Sequence, residues 1–455
     1  MAATTSILAR ALTNCQPCST SELDLSSKPP VQSAIIDDYK VSLATKSTLD
    51  GDRPLEFQLI SSGDDLLDLS ECYLNIEFII RAADGTVLNY LTAAGDDGND
   101  ISCQPINNII HSMFKRVDLI MNEKLISSSG DNYPYRAYLT NLLSYNDDVK
   151  KSWLSCLAGW HMDEAGRFSD ARNSALRAKC LAKFRDGRTC QLRDRLHLDM
   201  IFQGRLIPNN VNLRIILTRS SQHFFMMSHV ANQQPFQITL QSATLDVRRV
   251  GLTPEAHLNI QRVLSSSDGA VYPTTHCVVK TFNVPQGSTS HEIDSLLLGQ
   301  MPNSVILGLV SNAAYNGQYT LNPFDFGDFG MTFCALTAEG KTLPAKGLKP
   351  DVANNKYLDC LFSLMKVTGP MPYNWSNSIT PDLYKGGCFL LGFDLTPDGA
   401  AEGVAYVTPK RYGTVKANFR FREALAATVT VIVFAQYDNI VAIDSNRAVT
   451  HNYTV

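Results

Sequence analysis

The chain has 455 residues and a formal net charge of −4, with 40 Lys and Arg against 44 Asp and Glu. That balance excludes a globally basic nucleic-acid binder and a strongly acidic disordered chain. Hydrophobic residues make up 44%, enough for large cores, while charged residues are only 18% against a usual figure of about 25%, which fits a surface partly hidden in an assembly.

Residues 1–35 contain Ser, Thr and Pro without periodicity, include Lys28, Pro29 and Pro30 near their end, and read as an arm rather than a domain. Their start lacks the basic and apolar stretches of a secretion signal. Ala2 stands where N-myristoylation needs glycine. From residue 36 the period is two. Leu74, Ile76, Phe78 and Ile80 alternate with other residues, as do Leu196, Leu198, Met200 and Phe202, and Val211, Leu213, Ile215 and Leu217. This predicts strands with one buried face, separated by turns at 83–85, 94–98 and 208–210.

Two helices are expected to interrupt them. In Pro134–Leu143, the residues Tyr135, Tyr138, Leu139 and Leu142 form one apolar stripe. Pro254–Leu264 has Thr253 as its cap and Pro254 in its first turn, and sits near the chain centre as a linker. Strands are then predicted at Cys277–Val284, Ser304–Val310, Met331–Leu336, Cys388–Leu395, Thr414–Arg422 and Thr428–Tyr437. A weak repeat relates the halves. Segments 196–202, 210–217 and 237–250 follow one another as 390–397, 413–421 and 428–444 do. Two tandem β-sandwiches of roughly 200 residues each explain it. The longest strongly apolar stretch, Val429–Ala435, is far short of the about 20 residues of a spanning helix, so no membrane-spanning segment is expected.

Signatures of chemistry are sparse. Phosphate-cradling glycine loops, the GxSxG elbow and HExxH are absent, and His291 with Glu292 lacks a second histidine. The eleven cysteines, scattered from Cys15 to Cys388, read as free thiols of a reducing compartment. Cys15 and Cys18 have no second pair to complete a zinc site, and no cofactor is expected. His197 and Asp199 form an HxD pair on a predicted strand, as in the two-His, one-carboxylate iron sites of oxygenases, with His223, His229 or His276 as third ligand. The simpler reading puts both on the polar face of that strand. A basic run is the other uneven feature: Arg167, Arg172, Arg177, Lys179, Lys183, Arg185, Arg188, Arg193 and Arg195 against Asp170, Asp186 and Asp194. Such a run suits a solvated, partly helical insertion, a contact with an acidic neighbouring subunit, or phosphate neutralisation. Only Phe168 and Phe184 interleave it, too few for base stacking.

The stretches RLHLDMIFQGRLIPNNVNLRIIL (195–217) and LDVRRVGL (245–252) resemble the end of the first jelly roll of double-jelly-roll major capsid proteins. LLGFDLTPDG (390–399), GTVKANFRF (413–421) and VIVFAQYDNIVAI (431–443) resemble the end of the second. SELDLSSKPP (21–30), NEKLISSSGDNYPYRAYLTNLLSY (122–145) and NPFDFGDFGMTF (322–333) are similar to segments of Polinton/Maverick and adintovirus capsid proteins, related to those of large DNA viruses.

The resemblance implies a mainly β protein of two tandem eight-stranded antiparallel jelly rolls, over 36–252 and 271–455, joined by a linker helix within 253–270. The insertion at about 146–190 is longer than the loops of a minimal jelly roll. The resemblance further implies a homotrimer forming pseudo-hexagonal capsomers that tile an icosahedral shell around double-stranded DNA. Partners would be other copies, then penton and minor capsid proteins, with the DNA touched at most indirectly. The expected role is structural, in the virion, and not enzymatic. A lectin-like tandem jelly roll would instead call for secretion and paired cysteines, and an iron oxygenase for metal bound at His197 and Asp199.

Overall fold

A computed structural model describes residues 31–451 except 50, 52, 62, 83–84, 86–102, 162, 171–186, 229–235, 267–268, 370–375 and 402–405. Alternating sequence becomes strand along most of it. The first half comprises β1 (Ile35–Ala44), β2 (Leu55–Leu59), β3 (Leu66–Ala82), β4 (Phe114–Met121), β5 (Lys124–Ser128), β6 (Cys190–Arg195), β7 (Leu213–Arg219) and β8 (Phe236–Leu252). They pair antiparallel in two sheets, ordered β1-β8-β3-β6 and β2-β7-β4-β5.

The second half comprises β9 (Ala270–Val284), β10 (Ser290–Gln300), β11 (Ser304–Ser311), β12 (Met331–Ala338), β13 (Lys341–Leu348), β14 (Leu390–Asp394), β15 (Tyr412–Phe421) and β16 (Val429–Ile443). Its sheets run β9-β16-β11-β14 and β10-β15-β12-β13. Each strand of the first half thus has its counterpart eight strands later. Two four-stranded sheets with this crossing order make a jelly roll, so the chain is two of them in tandem. Short strands supplement them: Cys103–Pro105 pairs with Met226–Ser228, and Val449–His451 adds to β16.

Among the helices of the described residues, three of ten or more residues lie outside the sheets at the places where the halves meet or are covered. α1 (Tyr133–Ser144) lies between β5 and β6, α2 (Pro254–Leu264) joins the halves, and α3 (Leu358–Val367) lies between β13 and β14. In α2 the Thr253 side chain accepts a hydrogen bond from the Ala256 amide, and Pro254 opens the first turn. α1 and α3 occupy equivalent places in the two jelly rolls. In α3, Cys360, Leu361, Leu364 and Val367 face inward. A Cβ on Gly392 of β14 would lie 2.8 Å from the Leu364 Cα, so the missing side chain lets the helix rest directly on the strand.

Some sequence expectations give way here. The alternating run 196–202 is not a strand. β6 ends at Arg195, and amide bonds from Leu198 to the Leu196 carbonyl and from Ile201 to the Leu198 carbonyl fold the run into turns. Leu196, Leu198, Met200 and Ile201 are all buried, so the spacing of apolar residues reflects burial of a turn from several sides. α3 stands where the sequence pattern predicts no helix, while the helical run Asp147–Ala158 falls within the insertion at about 146–190.

Packing on two sides explains the most apolar strand. Val429–Ala435 of β16 are all buried, with the second core on one face and α1 of the first half against the other. A strand covered on both faces loses its alternation. The core is continuous through both halves.

Candidate functional site

Ten of the twelve residues of α1 are buried, because it is covered from both halves. Its apolar stripe carries the contact. Tyr138 stacks on Phe324 with ring centroids 4.1 Å apart, and Trp160 stacks on Tyr138 at 5.3 Å. Tyr135 lies edge-on to Phe324 and stacked on Tyr315. Offset stacks and edge contacts of this kind add to plain apolar burial.

A buried ionic link lies beside the aromatic cluster. Arg136 Nη2 donates to Asp199 Oδ1 at 2.6 Å, and His276 Nδ1 lies 2.5 Å from Asp199 Oδ2. Arg136 and Asp199 belong to the first half and His276 to β9 of the second. Burial opposes ionisation of Asp199, but the Arg136 guanidinium and the His276 hydrogen bond outweigh it and lower the carboxyl pKa. Burial acts against the Arg136 charge too, and Asp199 more than restores it. Lys150 makes a second link, donating to the carbonyls of Leu142 at 2.7 Å and Asn377 at 2.5 Å. Its burial lowers the ammonium pKa to about 8.

The HxD pair is therefore divided between two networks. Asp199 has one oxygen on Arg136 and the other on His276, which leaves no carboxylate edge facing His197 for a shared metal. His197 stacks edge-on against His111 at 4.7 Å, and its amide donates to the Tyr133 hydroxyl. His111 in turn bridges Tyr133 and Asp194 at 3.0 and 3.1 Å. Burial, then His111, Arg136 and Arg195, hold the His197 pKa well below its ordinary value. His223 stacks on Tyr319, and His229 lies outside the described residues. Neither HxD residue is on a polar strand face, as the simpler reading had it: both are buried in the turn after β6. Among the described residues no group of three or more His, Cys, Asp or Glu is placed to hold a metal.

The basic run is dispersed. Arg167 pairs with Glu164 and Asp170, and Arg188 is exposed. Arg193 pairs with Asp246 at 3.0 Å and lies over the Tyr73 ring. Arg195 lies over both Trp153 and Phe202, two exposed aromatic rings. Arg172, Arg177, Lys179, Lys183 and Arg185 fall outside the described residues, as do Cys15 and Cys18. Cys72, Cys190, Cys277, Cys334, Cys360 and Cys388 are free and buried, and Cys156 is free and exposed. Among the described residues no helix is long and apolar enough to cross a membrane. The sequence reading missed the Arg136–Asp199–His276 link, whose members are far apart along the chain. Arg136, the one charged residue of α1, was the available signal.

Solved structures with the same architecture are viral. A chain of the Sputnik virophage superposes with a TM-score of 0.64 at 12% identity, over 97% of this chain and 94% of that one. The Faustovirus major capsid protein gives 0.54 at 10% identity, over 95% and 96%. The mavirus major capsid protein gives 0.52 at 10% identity, over 97% and 96%. The chain has the double-jelly-roll fold of viral major capsid proteins. Both of its jelly rolls take part in these superpositions, since nearly the whole length is covered. By sequence it is also similar to an uncharacterized protein of Caenorhabditis elegans, 26% identical over 421 residues, 92% of this chain and 98% of that one. No family model matches the chain.

Proposed function

We propose that this chain is a major capsid protein. Three copies form a pseudo-hexagonal capsomer, and capsomers tile an icosahedral shell around double-stranded DNA. The observation that carries this reading is the pair of jelly rolls with one strand order, locked side by side through α1 and matched over nearly their full length by viral capsid chains. Two similar units per chain supply six from three chains, the number a hexagonal lattice point needs. The role is structural and its place the virion. We take 36–252 and 271–455 as the two jelly rolls and 253–270 as their linker, with Polinton/Maverick and adintovirus capsid proteins as kin.

Arg193 and Arg195, with the rest of the basic run, suit contact with an acidic neighbouring subunit. Arg beside exposed aromatic rings is the composition of interface anchors. Penton and minor capsid proteins are the further partners of such a shell. The solution mass of the purified chain, with negative-stain images of the same fraction, tests the reading. A species of about 150 kDa, three copies of 50.2 kDa, or closed shells are expected. A monomer at every concentration and salt overturns it.

A further inference from the structure

Away from the ionic link of α1, residues 147–165 of the first half and 378–383 of the second flank a cavity of about 700 Å³. That volume is typical of a small-molecule site. Lys150 lines it and is only 2% exposed. Two of the three N–H groups of its ammonium go to the carbonyls of Leu142 and Asn377. Neutral carbonyls do not cancel its charge, and the nearby acids are engaged elsewhere. Asp147 pairs with Lys151, and Asp163 accepts from the Asn107 side-chain amide at 2.9 Å. A buried ammonium ordinarily has an anionic partner. Other donors here are also short of acceptors. The indole N–H of Trp160, which is 2% exposed, and the side-chain amide of the fully buried Asn377 have no hydrogen-bond partner among the described residues. His161 is 7% exposed, and its Nε2 lies 3.4 Å from Asp163 Oδ1 without the alignment of a hydrogen bond. An excess of buried donors around an uncompensated cation is the chemistry of an oxyanion site.

We propose that this cavity binds a small organic oxyanion, with its charged end on Lys150 and its apolar body along Trp160, Ala165 and Leu383. The site stands apart from the capsid reading, since one chain contains all of it. Trp160 is stacked on Tyr138 of α1, so an occupant adds to the contact between the halves. Binding to the folded chain alone raises its stability by mass action. The titratable groups around Lys150 are Asp147, Lys151, His161, Asp163 and the Cys388 thiol. Burial brings the Lys150 ammonium to about 8, so affinity for an anion falls as pH rises through that value.

The test titrates the full chain with hexanoate by calorimetry and follows its melting temperature. Hexanoate is expected to bind and to raise the melting temperature. Acetate, which lacks the apolar body, is expected to bind at least about tenfold more weakly, and hexylamine not at all. Lys150→Met keeps the stem and removes the charge. It is expected to weaken hexanoate at least about tenfold and to abolish the loss of affinity between about pH 7 and about pH 9. Ala165→Trp fills the cavity from an exposed position and leaves every donor in place. It is expected to abolish binding, and it decides the matter even where Lys150→Met does not fold. A wild-type chain that does not bind hexanoate, hexylamine bound as tightly as hexanoate, or wild-type affinity in Ala165→Trp overturns the site. Unchanged affinity in a folded Lys150→Met chain overturns the role given to Lys150. A chain that binds hexanoate but never trimerises keeps the site and loses the capsid reading.

Discussion

Asp199 sits between a guanidinium and an imidazole that come from different halves of the chain. Removing one member of a buried, hydrogen-bonded charge group leaves the others without compensation, which costs about 3–5 kcal/mol. Arg136→Met is expected to lower stability by that amount in denaturant titrations, and Asp199→Asn combined with Arg136→Met to recover part of it. The pKa of Asp199 is lowered in the fold, so its contribution is present above the unfolded value of about 3.9 and is lost as pH falls through the lower folded value. His197 acts in a different window. Its folded pKa is also lowered, so below about 6.5 the unfolded chain takes up a proton that the folded chain refuses, and stability falls with pH. Melting temperature is expected to drop from pH 7 to pH 5, and His197→Gln to flatten that slope. An unchanged slope in the variant removes His197 from the account.

At the level of elements, the two helices that follow the fifth strand of each jelly roll have different surroundings. α1 is pressed between two sheets, with Tyr135 and Tyr138 against Phe324 and Arg136 on Asp199. α3 is pressed against β14, close enough that Gly392 has no room for a side chain. Gly392→Ala puts a methyl group against the α3 backbone and is expected to cost about 1–3 kcal/mol. Hydrogen exchange should show the loss in Leu358–Val367 first, with α1 unaffected. Equal loss in both helices would mean that they are not independent units.

For the whole molecule, the low charge content and the exposed residues of β1 and of the outer side of α3 fit the capsid reading proposed above. On that reading, weak contacts between copies would let wrong joins dissociate while a shell grows. Residues 1–30 precede β1 in the chain. Deleting residues 2–30 is expected to leave the folded trimer intact and to reduce closed shells in negative-stain images. Shells at the wild-type yield would take the arm out of assembly.

Much of this was legible along the chain. Period-two runs marked most strands, Thr253 with Pro254 marked α2, and the recurrence of 196–217 in 390–421 marked two halves. These signals are local: a strand with one buried face, or a capped helix, imposes its pattern over a few neighbouring residues. The run at 196–202 misled because a turn buried from several sides alternates as a strand does. α3 hid because its outward face carries Leu358 and Phe362, which blurs an amphipathic stripe. What only the tertiary structure decided is which surfaces are already covered. Asp199 meets His276 because α1 brings one jelly roll against the other. β1 has no buried residue, whereas its counterpart β9 has Tyr272, His276, Cys277 and Val279 buried. Burial between distant segments depends on how whole sheets stack, and no window of sequence contains both sides of such a contact.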